Sequence, residues 1–177
     1  MADFAVIPRR RSRDLEIAET NQARDWYETL LAIGAICLFI AISLALLRGA
    51  SRWVAIDELV WAHLVTVMVP LSITPFQLLR RRGGTLHRTL GWIWSVLLLA
   101  TACITFFIRE TNDGGLSFIH ILSALTLVTV PILVWTARTR HINRHRRAVR
   151  GLVTGAMLAA GYFTLMPGRI LGDWLFG

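Results

Sequence analysis

The sequence predicts an all-α membrane protein: a bundle of five transmembrane helices, N-terminus cytoplasmic, C-terminus periplasmic. Three observations predict it: the composition, five long apolar runs, and the sorting of arginine between the connecting segments. Hydrophobic residues make up 55% of the chain and charged residues 17%, where a soluble domain carries roughly 25% charged. The apolar runs are Leu30–Leu47, Leu59–Leu79, Leu90–Ile108, Leu116–Ala137 and Gly151–Met166. Helix is preferred to strand because lipid offers no partner to an unpaired backbone group, and none of the runs alternates as a barrel strand does.

Residues 1–29 read as a cytoplasmic polar tail, and residues 30–177 as the transmembrane domain. The run Arg9, Arg10, Arg11 and Arg13 is not the charged start of a secretory signal. The next apolar stretch begins some 17 residues later and, at 18 residues, exceeds a typical signal core. Part of 14–29 is expected as an interfacial helix ending at Trp26 and Tyr27. A helix needs roughly 20 residues to cross about 30 Å of hydrocarbon, which places the spans at about 30–47, 59–79, 88–108, 116–137 and 145–166. The fifth apolar run is short, and its helix is extended back toward Arg144, with arginine stems snorkelling to the headgroups. Pro167 and Gly168 stop it, and Ile170–Gly177 is expected as a short segment at the outer interface.

Arginine supplies all 19 basic residues and gives a net charge of +8. Fifteen fall in the tail, the second connection (Arg80, Arg81, Arg82, with Arg88 beyond) and the fourth (Arg138 to Arg150); four fall on the opposite side. That asymmetry puts the N-terminus inside and assigns the positive charge to anionic lipid headgroups, with no nucleic-acid partner. Cys37 and Cys103 sit in mid-run and are expected as small packing residues. There is no nucleophile–base pair or phosphate loop, so no catalytic residue is assigned. Gly83 and Gly84 read as a tight turn only.

The histidines carry the functional signal. His63 and His120 each lie four residues into a span, roughly 6 Å below the outer boundary at about 1.5 Å per residue. His87 and His145 lie at the cytoplasmic boundary, each followed by arginine, and the spacings His63–His87 and His120–His145 are 24 and 25 residues. The chain reads as one helical hairpin used twice. Helical spacing continues from His63 through Thr66, Pro70, Thr74 and Gln77, and from His120 through Ser123, Leu127 and Pro131. Such stripes are expected to face the bundle interior, and an ionisable group within a span marks a functional site.

Imidazoles paired at two depths suit haem iron, which accepts one nitrogen on each face. Haem b is therefore the expected cofactor, held by His63 with His120 and by His87 with His145. Gly91, Gly151 and Gly155 are expected to admit the porphyrin, and Arg81, Arg82, Arg88 or Arg146 to meet its propionates. A non-haem metal at the outer pair would need Glu58 or Asp113 as well, so no such metal is assigned.

The arrangement resembles the transmembrane di-haem cytochromes b, departing from them in span count and in its shorter gaps within each hairpin. A second resemblance covers residues 60–177. The ordered motifs P-F-Q before an arginine turn, H-R-x-L-G, F-I-H-I-L-S, H-R-R and P-G-R, ending in "LFG", resemble the bacterial membrane-protein family catalogued as domain of unknown function 2306. It implies a multi-span bacterial inner-membrane protein and supplies no chemistry; its motif histidines coincide with His63, His87, His120 and His145. The leading expectation is an electron-transfer membrane protein with a quinone or redox partner. Its rivals are a cofactor-free subunit of a larger membrane complex and a small transporter, the last requiring a mid-membrane cavity lined by Thr66, Thr74 and Ser123.

Overall fold

The computed structural model describes residues 9–80, 82–108 and 118–177, with side chains from residue 26 onward except that of Phe118. It is helical, with no strand among the described residues. The elements are α1 (Arg9–Arg48), a 3₁₀ turn (Ala50–Ala55), α2 (Glu58–Leu79), α3 (Thr85–Thr105), α4 (Phe118–Arg138), α5 (Ile142–Leu152), a π-helical segment (Val153–Ala159), α6 (Ala160–Thr164) and α7 (Ile170–Phe176). Four helices are long and apolar enough to cross a membrane: Trp26–Arg48, Glu58–Leu79, Thr85–Thr105 and Ile119–Arg138. They are consistent with a multi-pass membrane protein in contact with lipid. The fifth expected span corresponds to α5, the π segment and α6, which follow one another without a break from Ile142 to Thr164.

The side chains are sorted for a lipid solvent. In α4 one face carries Ile121, Leu125, Val128, Ile132 and Trp135, all exposed. The opposite face buries His120, Ser123, Thr126, Val130, Leu133 and Thr136. Both stripes keep the three-and-four spacing of a helix face, and the apolar one points outward. In α1, Ile33, Ile36, Ile40, Leu44 and Leu47 face out while Leu31, Ala32, Ala35, Ile42 and Ala45 pack inward. Polar groups inside and large aliphatics outside make sense where the surroundings are as apolar as leucine. Three interior hydroxyls are satisfied on their own helices, Thr74 donating to Pro70 O, Thr105 to Thr101 O and Thr126 to Leu122 O, each at 2.8 Å. Thr101 Oγ1 is buried without a hydrogen-bond partner among the described residues.

Helices that follow one another in the chain are neighbours in space, and the π segment closes the ring against α1. Two glycines permit that closure. A Cβ at Gly161 would overlap Leu38 of α1, and one at Gly49 would overlap the Trp174 indole of α7.

Several expected features are placed differently. The interfacial helix expected within 14–29 is part of α1, which runs 40 residues without interruption, about 60 Å. α3 begins at Thr85, so His87 lies within its first turn instead of before it. The inward stripe of α4 passes through Thr126 and Val130; Leu127 is half-buried and Pro131 exposed, because successive steps of three and four set the buried face. Cys37 and Cys103 are exposed on outward faces and pack nothing inside. The C-terminal segment forms a short helix docked on the bundle: α7 packs on α1, with Leu171 and Trp174 buried, and Arg48 donates to Leu175 O.

Candidate functional site

At one end of the bundle a single carboxylate gathers the arginine-rich segments. Glu28, next to the aromatic pair at the start of the apolar part of α1, is 3% exposed. Its Oε1 accepts from Arg146 and Arg150 at 2.8 Å each, and its Oε2 accepts from Arg82. Arg150 also lies over the Tyr27 ring at 5.4 Å, and Tyr27 Oη meets Thr154 Oγ1 at 3.0 Å. The turn before α3 and the second and third turns of α5 are thereby tied to α1. Sequence reasoning missed Glu28. The available signal was a lone acid between Tyr27 and the first apolar run, facing a large arginine excess.

Above this clasp lies a cavity of about 680 Å³, within the range of roughly 300–1,000 Å³ usual for small-molecule sites. α3 contributes His87, Arg88, Gly91 and Trp94, and α5 contributes His145, Arg146 and Val149. Each set lies on one helix face. α3 packs on α2 and α4 and meets α5 across the cavity. From His87 to Trp94 the wall is seven residues deep, about 10 Å. Arg82, Arg88, Arg140 and Arg146 line the space against one carboxylate, Glu28, so its field favours an anionic group.

His87 and His145 therefore share one cavity. The His145 ring is fixed: Nδ1 lies 3.1 Å from Leu133 O. A carbonyl only accepts, so Nδ1 carries the hydrogen, and in the neutral ring Nε2 keeps the lone pair. Metal-ligating histidines are oriented in this way. Gln77 Nε2 donates to His87 O at 3.1 Å, bracing the first turn of α3. Arg140 has φ +57°, a left-handed conformation that costs a non-glycine residue about 1–2 kcal/mol, and its side chain still lines the cavity.

The outer pair also shares a space. His63 and His120 line a second cavity of about 280 Å³ with Trp61, Thr105, Phe163 and Arg169. His63 Nδ1 sits 3.3 Å from Thr105 Oγ1. That hydroxyl already donates to Thr101 O at 2.8 Å, so its oxygen is the acceptor and Nδ1 the donor. The Thr101 carbonyl also faces the His63 ring. His120 is buried, with Phe106 tilted across it at 5.7 Å between ring centroids.

No family model, curated protein or solved structure matches the chain.

The remaining expected site residues divide clearly. Arg82, Arg88 and Arg146 line the inner cavity, joined by Arg140 and by Gly83, whose turn (φ +85°) forms part of the wall. Gly83 thus does more than make a turn. Gly91 lines the cavity as expected, whereas Gly151 and Gly155 do not; Gly151 is exposed. Arg81 and Asp113 lie outside the described residues. Glu58 is absent from the walls of the outer cavity. Among the described residues no three His, Cys, Asp or Glu side chains form a metal-binding group. His141 is exposed but stacked on Trp135, with Nδ1 2.8 Å from Thr139 Oγ1.

Of the residues expected around a transporter cavity, Thr74 and Ser123 are buried. Thr74 also accepts from Trp94 Nε1 at 3.0 Å and contacts Met157 Sδ at 3.5 Å. Thr74 lines the inner cavity beside Trp94, whereas Thr66 and Ser123 line neither cavity.

Proposed function

We propose that this chain is a five-span protein of a bacterial inner membrane that holds one haem b in the inner cavity, between His87 and His145, and serves in electron transfer. The observation that carries the reading is the inner cavity itself. Two histidines from facing helices line one space of about 680 Å³, and one of them is fixed with Nε2 available. His87 and His145 are the ligands assigned to the iron. Arg82, Arg88, Arg140 and Arg146 line the cavity and would supply positive charge for the propionates. Gly91 keeps one wall low, and Trp94 closes the deep end. His87 and His145 would hold the haem, which would supply one-electron chemistry tuned by its ligands and burial.

The outer cavity has less than half the volume of the inner one. The proposal therefore assigns one haem, and His63 and His120 are not kept as ligands of a second.

The fifth span in this reading is the continuous helical stretch from Ile142 to Thr164. The clasp of Glu28 by Arg82, Arg146 and Arg150 supports the orientation, since it draws arginine-rich segments to one end of the bundle. The motif resemblance to the bacterial family described above agrees with the compartment.

The test is haem content after expression with ample haem, measured as the pyridine haemochrome. The wild type is expected to carry about one haem per chain, as one bis-histidine site requires, and His87→Ala and His145→Ala to carry little. Equal content in all three proteins would refute the assignment.

A further inference from the structure

We infer that the outer cavity binds the hydroxylated ring of a hydroquinone-type headgroup, with His63 Nε2 accepting the hydrogen bond from one ring hydroxyl. The chemistry begins with Thr105. Its hydroxyl hydrogen is committed to Thr101 O, so its oxygen takes the Nδ1 hydrogen of His63. The His63 ring is thereby held as the tautomer whose remaining polar atom, Nε2, is an acceptor. A ligand complementary to it must bring an O–H or N–H donor; an acceptor-only group gains nothing there.

The other walls narrow the class. They are mostly apolar, from Leu46, Ile56, Leu64, Ile108 and Leu171, which excludes a strongly hydrated ligand. Trp61 and Phe163 add flat aromatic faces suited to a planar ring. Phe163, Gly168, Arg169 and Ile170 are both exposed and part of the lining, so the cavity opens between the end of α6 and the start of α7. At about 280 Å³ the space suits a single substituted ring rather than a porphyrin. A lipid-borne dihydroxy ring meets all four conditions: a hydroxyl donor, a flat ring, low polarity and small size. The inference does not depend on what occupies the inner cavity.

The experiment uses the full chain in lipid nanodiscs, titrated anaerobically by calorimetry with a short-chain ubiquinol and separately with its dimethyl ether. The ether keeps the ring and lacks both O–H groups. The wild type is expected to bind the quinol saturably and about tenfold more tightly than the ether, the usual value of one hydrogen bond. In His63→Ala that preference is expected to vanish while the ether affinity stays the same. Val60→Trp, placed in the cavity wall, is expected to abolish binding of both. Equal wild-type affinities for quinol and ether would overturn the inference without any variant, as would a preference that survives His63→Ala. Haem content, read on the same samples, reports separately on the inner cavity.

Discussion

Replacing Glu28 with glutamine removes one negative charge and nothing else of consequence in shape. Three guanidinium groups then converge on a neutral amide in a site where the original side chain is 3% exposed. Breaking a buried ion pair by removing one partner costs about 3–5 kcal/mol. The three contacts do not count equally. The Arg82 side chain is 39% exposed, and solvent screening reduces its share toward the level of a surface pair, below about 1 kcal/mol. Arg146 and Arg150, at 17% and 22%, keep most of theirs. Glu28→Gln is therefore expected to cost about 3 kcal/mol. At about 2–4 °C per kcal/mol for a chain of this size, the thermal midpoint should fall by about 6–12 °C. The assay is thermal unfolding in mild detergent, followed by loss of the monodisperse peak in size-exclusion chromatography. Arg82→Gln serves as an internal scale and should move the midpoint by no more than about 4 °C, the equivalent of a surface pair. A Glu28→Gln midpoint within about 2 °C of wild type, or one less affected than Arg82→Gln, would refute the reasoning.

Other expectations follow from single contacts. Arg140→Gly relieves the positive φ at the turn before α5 and should raise the thermal midpoint slightly, while reducing haem retention because a cation leaves the inner cavity. The two readouts are expected to move in opposite directions. Gly49→Leu forces a side chain into the Trp174 indole and should release α7 from α1, read as faster proteolytic loss of the C-terminal residues. Trp94→Phe removes the indole donor to Thr74 and should cost about 1 kcal/mol, measured as a lower denaturation midpoint.

Much of the architecture was legible in the sequence. Apolar runs of near-spanning length locate α2, α3 and α4 to within a few residues, since length and hydropathy are what lipid constrains. The pairing of histidines was also legible: equal depth on alternate helices placed His63 beside His120, and His87 beside His145, and each pair lines one cavity. Which cavity is the larger was not. That follows from how α3 and α5 stand apart at one end, and no spacing rule reports it. Periodicity carried the reading of the α4 stripe as far as Ser123, then drifted to Leu127 and Pro131, because steps of three and four were chosen without knowing the neighbouring helices. Glu28 went unread because an acid at a membrane boundary is ordinary in a sequence. Its importance comes from three arginines that reach it across 54, 118 and 122 residues of chain.

The central claim is tested most directly by the visible absorption spectrum of the purified protein, air-oxidised and then reduced with dithionite. The account predicts a sharp α-band on reduction, the mark of six-coordinate b-type haem, present in His63→Ala and absent in His87→Ala and His145→Ala. A featureless wild-type spectrum after haem-supplemented expression would contradict it, as would a band that needs His63 and survives the loss of His145.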